Sequence, residues 1–154
     1  SIKIGDHCYH GLCDMGASVS AIPYTLYQEI MKDIAPAEIE GIDVTIKLSN
    51  RDTISPIGIF RDAEVLCGKI KYPTDFLVLG TPQDDFCPII FGRPFLNTVN
   101  AKIDCEKENV SVSFGDVSHE LISPNFVDNL VIKNYLVRMK LLVLLLLSCL
   151  LLIH

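Results

Sequence analysis

The chain has 154 residues, enough for one domain with a modest extra segment, and 49% of them are apolar. Thirteen Lys and Arg stand against 19 Asp and Glu, a formal net charge of −6, and no basic cluster or aromatic–basic interleaving appears. That balance argues against nucleic-acid binding by this segment, since phosphate contacts need concentrated cations.

The six cysteines (Cys8, Cys13, Cys67, Cys87, Cys105 and Cys149) form no Cys-x-x-Cys and mostly lie in apolar runs. They read as reduced, small hydrophobes in a reducing compartment. The chain opens directly on a strand-like SIKIG without an initiator Met or a signal peptide, so its N-terminus reads as truncated or processed.

In chain order, SIKIGDHCYHGLC predicts a β-hairpin turning at Gly5-Asp6, with a return strand that ends at Asp14. A Met-Gly-Ala-Ser turn follows, then an extended VSAIP. Pro23 opens a short helix, YTLYQEIMKDI, with Leu26, Ile30 and Ile34 on one face. IDVTIKLS runs into the polar turn Asn50-Arg51-Asp52 and TISPIGIF leaves it, a second hairpin. AEVLCGKIKYPTDFLVLG forms a third around Cys67-Gly68-Lys69. After the polar loop TPQDDF come a short buried strand, CPIIFG, a helical turn, RPFLNTV, and a fourth hairpin, NAKIDCEKENVSVSF, around Glu106 to Asn109. Closely spaced turns and at most two short helices predict an all-β barrel or sandwich, not a βαβ fold.

Within that frame LCDMGAS, Leu12 to Ser18, leads an apolar strand into a single aspartate and a small-residue turn. Taken alone, Asp-x-Gly is a common way to end a strand. Its setting is less ordinary: a hairpin precedes it, the polar-tipped KLSNRDTIS follows, and IIFGRPFL comes near residue 90. "CDMGASVSAIP", "IIFGRPFLNT" and "AKID", in this order, resemble the retropepsin-like aspartic proteases, most closely the protease segment of plant gypsy-type LTR retrotransposon polyproteins. The likeness spans roughly residues 1 to 115.

The resemblance implies a small closed β-barrel of retropepsin type with one or two short helices, forming half of a two-fold dimer. It implies Asp14 as the catalytic carboxylate on a loop of Met15, Gly16, Ala17 and Ser18. Gly16 would let backbone amides approach the carboxylate, where a side chain would clash or force an unfavourable dihedral. Ser49, Asn50, Arg51, Asp52 and Thr53 would form a substrate-binding flap; an ordinary exposed hairpin tip is the alternative. Ile89, Ile90, Gly92 and Arg93 would form the strand beneath the loop, with Gly92 allowing close crossing of chains and Arg93 donating hydrogen bonds or lying free on the surface. No second Asp-x-Gly occurs, so a partner carboxylate would come from Asp14 of a second copy. Met15 departs from the Thr or Ser usual there, and its side chain cannot supply the hydroxyl that locks the two loops together.

The implied reaction is hydrolysis of peptide bonds in an extended polypeptide, without metal or cofactor, in a cytoplasmic retroelement particle. A catalytically weak or inactive dimerisation or binding module on the same fold is the alternative. HCYHGLC (His7, Cys8, His10, Cys13) holds zinc-type ligands, but its spacing matches no common closed site, and a strand sends alternate side chains to opposite faces. Asp84-Asp85 reads as a solvated loop, and Asp104 and Glu106 as a hairpin end.

The protease-like domain is placed at residues 1–125 and an apolar tail at 126–154. Leu141 to Ile153 would span only about 20 Å as a helix, short of a roughly 30 Å hydrocarbon core. From Leu136, with Arg138 and Lys140 snorkelling, it approaches a marginal anchor. Membrane association through this tail, a reading-frame extension, and a helix packed on the domain or a partner all remain open readings of it.

Overall fold

Fourteen short elements form in the computed structural model, which describes residues 2–33, 39–48, 51–83, 88–107 and 109–122. Ile34, Ser49, Asn50, the Asp84-Asp85 loop, Cys87 and the tail 126–154 lie outside the described residues. The described elements fall into two compact units: the arms of one small hairpin form the second, and all other elements the first.

The first hairpin turns where predicted, β1 (Ile2–Ile4) pairing antiparallel with β2 (His7–Tyr9) across Gly5, whose φ of 60° only glycine adopts cheaply. The return strand expected to reach Asp14 ends instead at Tyr9, because residues 11–13 find their partner in residues 89–91. Next come β3 (Gly11–Cys13), β4 (Ser20–Pro23) and helix α1 (Tyr24–Asp33). Pro23 is the last residue of the strand and the helix begins at Tyr24, as the sequence predicted; a fixed φ and a missing N–H suit that junction. Leu26, Tyr27 and Ile30 bury one face of α1 in the core.

The second and third hairpins are partitioned differently from the sequence reading. In the second unit, β5 (Ile46–Lys47) pairs with β6 (Thr53–Ile54), two residues each. Gly58–Phe60, expected in the arm leaving that hairpin, instead opens a long strand β7 (Gly58–Cys67) that pairs with β8 (Ile70–Leu79). Long-range partners decide this: Ile59 faces Leu77 and also bridges Glu40. A bulge interrupts β7 between Phe60 and Ala63, with Asp62 at φ 51°. It is pinned from outside: Asp75 accepts hydrogen bonds from the Asp62 amide and the Arg61 guanidinium, both at 2.9 Å. Arg61 also binds Glu40 at 2.9 Å, and this hydrogen bond and charge hold the Glu40 carboxyl below its ordinary range.

After β9 (Ile89–Phe91) comes α2 (Arg93–Thr98), then β10 (Lys102–Asp104), β11 (Asn109–Phe114) and β12 (Val117–Ile122). The last strand was not anticipated; Gly115, at φ 57°, makes the turn that allows it. β10, β11 and β12 form a three-stranded antiparallel sheet, and Val112 from its middle strand reaches the core.

The main sheet has seven strands in the order β2-β1-β7-β8-β4-β9-β3 and curls into a nearly closed barrel. Ile4, Ile22, Val65, Phe76, Val78 and Ile89 fill it, each at most 1% exposed. The architecture is all-β with two short helices, as the sequence predicted.

Cys67, at the end of β7, is fully buried, and burial pushes its thiol up from 9.0 to about 11, whereas Cys8 and Cys105 are exposed. The folded state therefore holds this proton more tightly than the unfolded chain. Its stabilising contribution is complete below about pH 9 and is lost as pH rises through about 11. At pH 9, iodoacetamide should modify Cys67 about a hundredfold more slowly than Cys8 or Cys105, and equally fast in denaturant, as read by peptide mass spectrometry.

Candidate active site

Strand order creates the site. β3 runs parallel to β9, pairing Leu12 with Ile90 and Cys13 with Phe91, while β4 lies on the other side of β9, antiparallel, pairing Ala21 with Ile90. The chain leaving β3 must therefore pass over the C-terminal end of β9 to become β4. Residues 14–19 make that passage, and the chain leaving β9 runs under it through Gly92 into α2.

Three hydrogen bonds fasten the crossing. The Asp14 amide donates to the Phe91 carbonyl at 2.9 Å and the Arg93 amide to the Ala17 carbonyl at 3.0 Å. The Gly92 amide donates to Ser20 Oγ at 3.2 Å, while the Gly92 carbonyl accepts from the Leu96 amide at 3.1 Å and so begins α2. Gly92 has an ordinary extended backbone (φ −84°, ψ 178°), so conformation is not what requires glycine there. Space is: a Cβ would overlap the Val19 carbonyl and lie 3.0 Å from the Ala17 carbonyl oxygen. Gly11 is required for a similar reason, because a Cβ there would strike the Phe91 ring. That ring packs on Phe95 with centroids 4.2 Å apart, tying β9 to α2.

On this base stands the Asp14 turn. Asp14 Oδ1 accepts from the Gly16 amide at 2.8 Å and, more weakly, from the Ala17 amide at 3.3 Å. The carbonyls of those same two peptide units, from Met15 and Gly16, both accept from Arg93 Nη1 at 3.2 Å. Two peptide planes thus lie between a carboxylate and a guanidinium, N–H ends toward the anion and C=O ends toward the cation. Both charges reinforce one orientation of the turn. Asp14 is half-buried, and Oδ2 has no hydrogen-bond partner among the described residues.

The sequence-predicted residues distribute plainly. Asp14, Met15, Gly16 and Ala17 meet Gly92 and Arg93 at the crossing, and Ile89 and Ile90 form the strand beside it. Ser18 is exposed. The expected dihedral reason for Gly16 does not hold, because its φ is not positive; a Cβ there would instead sit 3.1 Å from Asp14 Oδ1 and crowd the carboxylate. Arg51, Asp52 and Thr53 are exposed at the β5–β6 hairpin, where the Leu48 amide donates to the Asp52 carbonyl at 2.8 Å and Arg51 sits at φ 71°. Ser49 and Asn50 lie outside the described residues. Two contributors escaped the sequence reading. Ser20 is 3% exposed, and a polar residue inside the apolar run VSAIP was the available signal. The Phe91 carbonyl carried no sequence signal.

Burial pushes the Cys13 thiol up, so beside Asp14 it stays protonated and is a poor nucleophile. Among the described residues no group of three or more His, Cys, Asp or Glu could hold a metal ion, and none of their helices is long and apolar enough to cross a membrane. An apolar groove of about 110 Å³ opens at the ends of β4, β8 and β9, lined by Ala21, Pro23, Leu79, Pro82, Pro88 and Ile90 among others.

No family model and no curated protein matches the sequence. Among solved structures, the chain is similar to the retroviral protease-like domain of Ddi1 from Leishmania major, with a TM-score of 0.55 and 15% identity over 82% of this chain and 93% of that one. The fold is therefore of the retropepsin type.

Gly92→Ala should cost at least about 2 kcal/mol in urea denaturation, because a backbone carbonyl has to move. Gly41→Ala, where a Cβ would meet nothing within 4 Å, should stay within about 0.5 kcal/mol. Arg93→Ala should speed hydrogen exchange at the Gly16 and Ala17 amides at least about tenfold and leave Phe76 and Val78 unchanged by NMR.

Proposed function

We propose that the chain is an aspartic endopeptidase of retropepsin type that works as a homodimer, with Asp14 of each copy forming the reacting pair. The observation that carries this reading is the Asp14 carboxylate, fixed at the apex of a cross-braced turn with one oxygen held by amides and the other without a partner among the described residues. Two carboxylates brought together share one proton, because two adjacent like charges do not both ionise easily. The ionised one takes a proton from water as the water oxygen attacks the scissile carbonyl carbon. The protonated one donates to the carbonyl oxygen. Collapse of the tetrahedral species breaks the C–N bond: the leaving nitrogen takes the proton from one carboxyl while the other carboxylate takes one from a hydroxyl as the carbonyl reforms, so the pair again holds one proton.

The apolar groove at the ends of β4, β8 and β9 suits an apolar side chain of the substrate. The two-residue strands β5 and β6 offer short edges of the kind to which an extended peptide adds. Processing of a retroelement polyprotein is the biological setting, supported by the likeness of CDMGASVSAIP and IIFGRPFLNT to plant gypsy-type proteases. A second reading, a dimerisation or binding module without proteolysis, draws on Met15, which brings no side-chain hydroxyl to the loop.

Purified protein mixed with a peptide library between about pH 4 and 7 should cleave beside apolar residues, at rates rising more steeply than linearly with protein concentration. Asp14→Asn, which keeps shape and folding, should lower the rate at least about a thousandfold. Undiminished cleavage by that variant would remove Asp14 from the chemistry. Silence from a folded, dimeric wild-type sample would favour the binding module, and activity gained by Met15→Thr would then identify the missing hydroxyl as the cause.

A further inference from the structure

The two sides of β7 are covered unequally. Along one side the strand pairs with β8, interrupted only by the bulge. Along the other, β1 covers Val65 and Leu66, and among the described residues Ile59 alone has a further main-chain partner. An open edge of this kind is a template for a strand of another chain. The run GIFRDAEVLC holds no proline and is rich in β-branched and aromatic residues, which adds to the hazard. The partner of Ile59 is Glu40. The Glu40 amide donates to the Ile59 carbonyl at 3.0 Å and the Ile59 amide to the Glu40 carbonyl at 2.9 Å. The approach is close enough to dictate a residue: a Cβ on Gly58 would strike the Ile39 side chain and the Glu40 carbonyl. Ile39 in turn packs against the core.

A two-residue contact is a weak cover by itself, and Arg61 reinforces it. Its Nε and Nη2 donate to the two Glu40 carboxylate oxygens at 2.9 and 3.3 Å, and its Nη1 donates to Asp75 Oδ2 at 2.9 Å. A single exposed ion pair contributes little, but a forked one tied at its other end to a second strand holds a geometry. Asp75 lies on β8, and its other oxygen accepts from the Asp62 amide inside the bulge, so the guanidinium is anchored to the sheet itself. The bulge and the exposed charges of Arg61, Asp62 and Glu64 are further means of keeping an edge from pairing. We propose that residues 39–40 are a guard strap over the open edge of β7 and that Arg61 is its latch, together keeping that edge from adding an extended strand of another chain. The proposal is independent of the chemistry at Asp14.

The test compares Arg61→Gln with Lys71→Gln, both in the full chain. The control makes the same change of charge on the same pair of strands, breaking the 2.6 Å ion pair of Lys71 with Glu64, which holds no strap. Arg61→Gln should speed hydrogen exchange at the Glu40 and Ile59 amides at least about tenfold by NMR, leaving the Ile22 amide unchanged. On incubation it should associate at least about fivefold faster than the parent or Lys71→Gln by light scattering, and residues 60–63 should be protected from exchange in the associated material. Glu40→Gln, which keeps the shape of the strap, should move both readouts in the same direction. Unchanged exchange at Glu40 and Ile59 in both variants overturns the latch. Faster exchange without faster association, or association that leaves residues 60–63 unprotected, overturns the guard. Should Arg61→Gln lose its fold by circular dichroism, Glu40→Gln decides alone by the same two readouts.

Discussion

The crossing of two backbone segments at Gly92 is the constraint on which the rest of the site depends. β9 lies between β3 and β4, so the connection between those strands has to bridge its end. The segments approach so closely that the lower one can carry no side chain at position 92. Closeness then turns ordinary backbone groups into mutual partners: Asp14 with Phe91, Ala17 with Arg93, Ser20 with Gly92. Each of these three amides is met by an acceptor on the other segment, as buried donors require. A larger residue at position 92 would separate the segments and break several of these bonds together.

From the crossing follows the electrostatics of the turn. Arg93 comes directly after Gly92, so its guanidinium is delivered to the outer side of the loop that Asp14 begins. The two peptide units between them have their dipoles aligned by both charges, and reversal of either unit would place a carbonyl against the carboxylate. Orientation is therefore maintained from two sides, although Arg93 is exposed and gains little from any single bond. Rigid backbone in turn fixes where the Met15 side chain projects, which links the interior crossing to the exposed apolar surface.

Legibility in the sequence followed the range of the interactions. The first hairpin, the β7–β8 turn, helix α1 and the α2 turn could be read because glycine at the turns, a 3.6-residue apolar period and an Arg-Pro helix start act locally. The division between the second and third hairpins could not. Gly58–Phe60 alternates as well with one partner as another, and what decides is pairing with residues 76–78 and the bridge from Glu40. The Arg61–Asp75 staple and the bulge it supports were equally silent, being properties of a register. At the site, Asp14, Gly92 and Arg93 were legible as a motif pair, but not the reason for each. Gly92 is required by space, Gly16 by the carboxylate beside it, and Ser20 by an amide from across the crossing.

An Asx-turn alone would make Asp14 an ordinary strand-ending aspartate, since its own Gly16 and Ala17 amides satisfy that geometry. The remaining features do not follow from ending a strand. A plain turn needs no guanidinium on its far side, no side-chain-free crossing beneath it and no exposed methionine at its tip. For a monomer, the half-buried carboxylate and the uncovered Met15 are costs without return. Under the proposed dimeric reading, the bracing would hold each carboxylate still and the oxygen without a hydrogen-bond partner among the described residues would be free to meet its counterpart. Bracing from both sides, gathered around one carboxylate, is more than the end of a strand requires.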